Sequence, residues 1–273
     1  MRRTRLVAIA LVLTALSACR ISIAQQISPA TTSDRDPRAM SILKSAIDKA
    51  GGGPSLRAIR DFTAFGQMTH FQEDGPMTGT VEIIGRGCDQ LRMVSHLPDG
   101  DHTMLISHGK GKVSEPNLKL DISPMNAFHL GVSILPILDL IAVSDDPLAS
   151  VSFEGIEQVG AVSLYKIKFI SGIPRNSLQV EGLKNLRGGE VLINTTDFTV
   201  VMYRHRYFTG NTFARAIPRE IQFSDFRSVG NLLVPFKMSE RIGDQTLRII
   251  ALQNVEFNLG MTDEKFNVLS VQR

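Results

Sequence analysis

From Asp61 onward one pattern dominates the chain: short runs rich in apolar, β-branched and aromatic residues, broken at close intervals by turn signals. "DFTAFGQMTHFQ", with Phe62, Ala64, Met68 and His70 on one face, is followed by the turn "EDGPMTG". The runs "TVEIIGRG" and "DQLRMVSHL", the turn "PDGD" and "HTMLISHGKGKV" continue it. The pattern resumes with "VSFEGIEQVGAVSLYKIKFI", two runs about Val159-Gly160, and with "EVLINTTDFTVVMYRHRYF", which turns near Thr195 to Asp197. It ends with "FSDFRSVGNLLVPFKMSERI" and "TLRIIALQNVEFN". Parallel strands need long crossovers, whereas runs joined by tight turns pair antiparallel, so a meander is predicted. In the "LLVPFKM" run Leu232, Val234, Phe236 and Met238 share one face. In the last run alternation predicts Leu247, Ile249, Ala251, Val255 and Phe257 on one face, with Gln253 the exception, and Ile250 and Leu252 on the other. Both faces are partly apolar, so something must cover the second.

Two segments depart from this period. Pro37 stands where a helix can begin, and Met40, Leu43, Ile47 and Ala50 follow at helical spacing until Gly51 to Gly53 stop it. "PSLRAIR" adds a further short turn of helix. In the middle, residues 125–143, "MNAFHLGVSILPILDLIAV", are nearly all apolar. Pro136 interrupts a continuous helix, so two short helices are expected, with a boundary near Gly131 or Pro136. Helices apolar almost all the way round are buried on several sides or cover something greasy. Residues 172–189 read as a loop.

The N-terminus reads as an export signal over residues 1–24. "MRRTR" is a positive start, and the 13-residue apolar stretch "LVAIALVLTALSA" is too short for a membrane span of about 20. Leu16-Ser17-Ala18-Cys19 matches a lipobox, which would make a lipidated Cys19 the new N-terminus; the alternative is cleavage after Ala24. Membrane association follows only if Cys19 is lipidated. Residues 25–37, Ser/Thr/Pro/Asp-rich and without periodicity, read as a flexible linker, and 38–273 as one folded domain. Without Arg2, Arg3 and Arg5, 27 basic residues face 27 acidic ones, and no basic stripe follows, so nucleic acid is not an expected partner. Once Cys19 is used or removed Cys88 stands alone, and no internal disulfide can form.

No pattern of catalysis emerges. The sequence has no His-Glu-x-x-His, Gly-x-Ser-x-Gly, P-loop or dinucleotide fingerprint. His102 and His108 share a strand parity, but six residues of strand span about 20 Å, too far for one metal ion. Asp145-Asp146 and Asp263-Glu264 read as solvated turn or helix-start residues. The chain is expected to be non-catalytic, without metal or cofactor. Its surplus is apolar: the central stretch, the doubly apolar strands and 10 methionines suit an adaptable interior.

An exported chain that opens with a helix, runs through an antiparallel meander interrupted by helices, and ends on "FRSVGNLLVPFKMSERI" and "LQNVEFNLGMTDEKF" resembles the outer-membrane lipoprotein-sorting proteins, the LolA- and LolB-like superfamily. The resemblance covers most of residues 38–268. It implies an α+β fold: a strongly curved antiparallel β-sheet, an incomplete barrel, with helices packed on its concave face. It also implies a hydrophobic cavity for the acyl chains of lipids or lipoproteins, with the helices as cover. The expected lining is Phe128, Leu135, Leu138 and Ile141 from the helices and Phe62, Met68, Val234 and Phe236 from the strands. The same fold serving as an envelope sensor, with an envelope protein as partner, is the alternative.

Overall fold

The structure is a computed structural model describing residues 35–124, 126–127, 134–171, 188–209 and 216–267. The expected export signal with Cys19, most of the expected linker, Phe128, the Gly131 boundary and residues 172–187 lie outside the described residues.

Helices α1 (Pro37–Lys49) and α2 (Gly53–Arg57) precede strands β1 (Asp61–Gln72), β2 (Gly75–Arg86), β3 (Gln90–Leu97), β4 (Gly100–Ser107), β5 (Lys110–Glu115) and β6 (Leu118–Ile122). Helix α3 (Pro136–Asp145) follows. Then come β7 (Ser150–Val159), β8 (Val162–Ile170), β9 (Gly188–Asn194), β10 (Val200–Phe208), β11 (Ala216–Val229), β12 (Leu232–Ile242) and β13 (Gln245–Phe257). All 13 strands form one sheet in the order β6-β5-β4-β3-β2-β1-β13-β12-β11-β10-β9-β8-β7, every pair antiparallel. The first and last strands pair along a seam running from Phe62 opposite Phe257 to His70 opposite Arg248. The sheet is therefore closed where the chain begins and ends and open in its middle, between β6 and β7. Residues 123–149, which include α3, connect those two edges.

The curvature has a direct measure. His70 on β1 and His102 on β4 are three strands apart, about 14 Å in a flat sheet, yet their rings are 6.1 Å apart centre to centre. Into this concavity α1 turns Ala39, Ile42, Leu43, Ala46, Ile47 and Ala50, an i, i+3, i+4, i+7 face. Asp36 caps α1 by accepting from the N–H groups of Arg38 and Ala39, and Pro37 takes the first helical position. Arg35 bridges Val151 and Asp36 N–H donates to the Val151 carbonyl, which covers the start of the free β7 edge. Helix α3, begun by Pro136, buries Ile137, Leu138, Leu140, Ile141 and Val143. Both helices and the inner face of the sheet share one continuous apolar core. The "VGN" turn of the β11–β12 hairpin docks on the end of α1. There Leu233 N–H donates to Ala50, and a Cβ on Gly51 would fall 2.6 Å from the Asn231 carbonyl oxygen.

Several sequence expectations shift. The strand expected after "EDGPMTG" begins earlier, at Gly75; Pro76 is tolerated because β3 pairs with β2 only from Thr80 onward. The run "HTMLISHGKGKV" is two strands, β4 and β5, and β6 was not anticipated. Gly188 and Gly189, expected in a loop, open β9. In β13 the expected faces are wrong over half its length: Arg248, Ile250 and Leu252 point inward, and so do Val255 and Phe257. Gln253 is an extra residue, since Phe65 pairs with Asn254 and Gly66 with Leu252, and this bulge switches the parity. Gly66 itself admits no side chain, because a Cβ would lie 2.2 Å from the Ala251 carbonyl oxygen.

Across the inner face β11, β12 and β13 are pinned by a buried ion triad. Arg219 Nε donates to Glu240 Oε1 at 2.8 Å and Arg248 Nε to Glu240 Oε2 at 2.6 Å. Burial pushes the Glu240 carboxyl up, but the charges of Arg219 and Arg248, with their hydrogen bonds, outweigh it and bring it from its ordinary 4.5 down to about 2. A depressed carboxyl stabilises the fold above its unfolded titration range. Roughly 3 kcal/mol should therefore be lost as the pH falls from about 4.5 towards 2. Glu240→Gln leaves two guanidinium groups facing a neutral amide. It is expected to cost about 3–5 kcal/mol in urea denaturation at neutral pH and to flatten the acid limb of stability against pH.

Candidate functional site

The concave face is divided. At the end occupied by α1 and α3 the space is packed. At the other end a cavity of about 620 Å³ remains, bordered by β1, β3 to β6, the ends of β10 and β12, and the start of β13. Its apolar wall comprises Met68, Met93, Met104, Val113, Ile122 and Phe208. Leu118 and Leu120 line it too, while 44% and 55% exposed, so the cavity meets solvent along β6. Ser123 and Asn126, at the start of the connection to α3, border it; α3 itself does not. Asn126 is held by a reciprocal pair of hydrogen bonds with the Phe208 backbone, each 2.9 Å, which fixes that side of the wall.

A polar belt crosses this surface, beside further polar residues such as Ser95, Thr103 and Glu115. Glu240, Arg248 and His70 are directly cross-strand neighbours on β12, β13 and β1. His102 continues the belt from β4. His102 Nε2 lies 3.0 Å from the Asp99 carboxylate and Nδ1 lies 3.7 Å from Glu115. Burial, then the charge of Arg248 and His102, lower the pKa of His70 below its ordinary 6.5. Among the described residues no group of three or more His, Cys, Asp or Glu could hold a metal ion.

Of the residues expected to line a cavity, Met68 does so. Phe62, Leu135, Leu138, Ile141, Val234 and Phe236 are each at most 8% exposed inside the packed core, where they join the helices to the sheet instead of bordering the cavity. Phe128 lies outside the described residues. Cys88 sits beside α3, its thiol donating to the Leu138 carbonyl at 3.4 Å. Burial, then Asp139 and Asp89, push its pKa up to about 12, so it is not an activated thiol. The belt residues Glu240, Arg248, His70 and His102 were missed as a group. The available signal was parity: Glu240 continues the Leu232, Val234, Phe236, Met238 face by one more step of two.

No family model and no curated protein matches the sequence. Among solved structures, the chain is similar to a LolA superfamily protein from Nitrosomonas europaea, with 12% identity and a TM-score of 0.51, over 87% of this chain and 98% of that one. It is also similar to a domain described as an outer-membrane lipoprotein-sorting protein from Vibrio parahaemolyticus, with 12% identity and a TM-score of 0.49, over 86% and 99% of the two chains. A DUF1329 family protein from Desulfovibrio piger gives 13% identity and a TM-score of 0.48 over 84% and 99%. At 12% identity the first of these likenesses speaks for the fold alone: an incomplete barrel around inner helices, here with the gap in mid-chain, is a LolA-like fold.

Proposed function

We propose that this chain is a non-catalytic bacterial cell-envelope protein, exported to the periplasm or the periplasmic face of the outer membrane, that holds an acyl chain of a lipid or lipoprotein. The observation that carries this is the cavity of about 620 Å³, walled by methionines and aliphatic side chains and reached along β6. Its size falls within the roughly 300–1,000 Å³ range of small-molecule sites. Burial of an acyl chain there would gain about 25 cal/mol per Å² of apolar area removed from water. Thioether side chains bend to fit an irregular apolar guest better than branched ones do. The export reading of the N-terminus supports the compartment.

The fluorescence of an environment-sensitive fatty acid should rise on addition of the purified protein, and mass spectrometry of an extract from membrane-purified protein should contain a lipid. Val113→Trp, which places an indole in the cavity, should weaken uptake about tenfold. Leu138→Ala, in the packed core, should cost about 2–5 kcal/mol of stability and leave affinity within about twofold. Absence of both lipid and uptake would sink the proposal. Intact mass of the mature protein decides the anchor: a start at Cys19 with added diacylglyceryl mass indicates a tethered form, a start at Gln25 a free one.

A second reading, an envelope sensor with a protein partner, draws on the β6 edge. Among the described residues that strand pairs only with β5, and it exposes Leu118 and Leu120, so an extended segment of a partner could add to it. Crosslinking in intact cells separates the two: a dominant stoichiometric protein adduct together with a lipid-free cavity favours the sensor.

A further inference from the structure

We propose that the cavity selects a single-chain amphiphile with an anionic head, and that Arg248 is the residue that receives the head. The proposal rests on the cavity reading above and adds the chemical class of its guest. A site for an apolar chain alone would be expected to be apolar throughout, because a charge on its wall is costly to keep from water. Here Arg248 borders the cavity with its side chain only 9% exposed.

Its hydrogen bonding is uneven. Nε and Nη2 both point at one oxygen, Glu240 Oε2, each at 2.6 Å. Nη1 meets the thioether of Met93 at 3.6 Å, a weak acceptor for a guanidinium donor. Met93 also lines the cavity, so the under-used side of the guanidinium lies at the cavity wall. Glu240 divides its charge between Arg248 and Arg219, and the three groups together carry one positive charge. A carboxylate or phosphate oxygen would give the Arg248 donor a charged acceptor in place of a sulfur, a stronger bond.

The belt also gives direction. Glu115 lies on the β5 side beside His102, and Asp121 is on β6. Lys112, 4.0 Å from Asp121, offsets that charge, so Glu115 is the carboxylate that disfavours an anion on the β5 side. The head therefore belongs inside, at Arg248, with the chain running past Val113 and Ile122 towards β6.

The test compares three fluorescent probes of one chain length on the full mature protein: the fatty acid, its methyl ester and the corresponding alkyl phosphate. The wild type is expected to bind at least one of the two anions about ten- to hundredfold more tightly than the ester. Which anion binds tighter tells whether the head is a carboxylate or a phosphate. Arg248→Met, which leaves the Arg219–Glu240 pair intact, is expected to bring that ratio close to one while ester binding persists. Equal binding of anions and ester by the wild type, or a ratio unchanged in Arg248→Met, overturns the assignment and leaves the cavity reading standing. Failure of the wild type to bind any probe overturns both. Should Arg248→Met not fold, the wild type gives an independent readout: the carboxyl of a ¹³C-labelled fatty acid, followed by NMR, should titrate below its value in water-soluble short-chain acids. An unshifted titration of the bound acid overturns the proposal.

Discussion

The pairing of β1 with β13 is the constraint on which the rest of the molecule depends. It joins two meanders into one sheet and, by closing the sheet at the two ends of the strand succession, moves the opening to mid-chain between β6 and β7. Helix α3, in the connection between the edges of that opening, packs into the core on the concave face. The same seam brings Arg248 opposite His70 and beside Glu240, so the polar belt exists only once the seam is made. Asp61 fastens its end: the carboxylate accepts from the N–H groups of Leu259, Gly260 and Met261 at 2.6–3.1 Å, holding the chain after β13 against the start of β1.

The strands were largely legible because alternation and turn chemistry are local properties. "SVGNLLVPFKM" announces a hairpin through Gly230, at φ 61°, between two runs of inward residues. The start of α1 was legible for the same reason, since Pro37 acts within one turn, whereas its cap, Asp36, was read as linker. What failed was either short or relational. Strand β6 carries five residues and none fully buried, so it leaves little pattern to detect. The parity of β13 depends on a bulge whose cause, the close approach of Gly66 to Ala251, involves a strand nearly two hundred residues away.

The site was less legible than the fold. Residues chosen for their greasiness, Phe62, Leu138 or Phe236, turned out to fill the interior, and apolar character alone does not separate a wall from a core. The cavity lies where packing from the helices stops, which is a matter of helix placement. Its polar belt comes from strands far apart in sequence: His70 and His102 meet across the curve of the sheet, not along it. A search for metal ligands by spacing along the chain compares His102 with His108, which points elsewhere and contacts Asp89 at 2.6 Å.

Closing the sheet with its first and last strands also sets the order in which the molecule can form. Each β-hairpin of the meander can close as soon as its own residues are available, because the loop to be closed is short. The seam cannot: β1 must wait for β13, the last strand to be made, and contacts of such separation slow folding. Until then β1 and β13 each present an unsatisfied edge, and the inner apolar face has no finished enclosure. Before the seam forms the sheet is a ribbon with two unpaired borders, and the long separation of Asp61 from Phe257 lengthens the interval in which those borders are open to wrong edge-to-edge pairing.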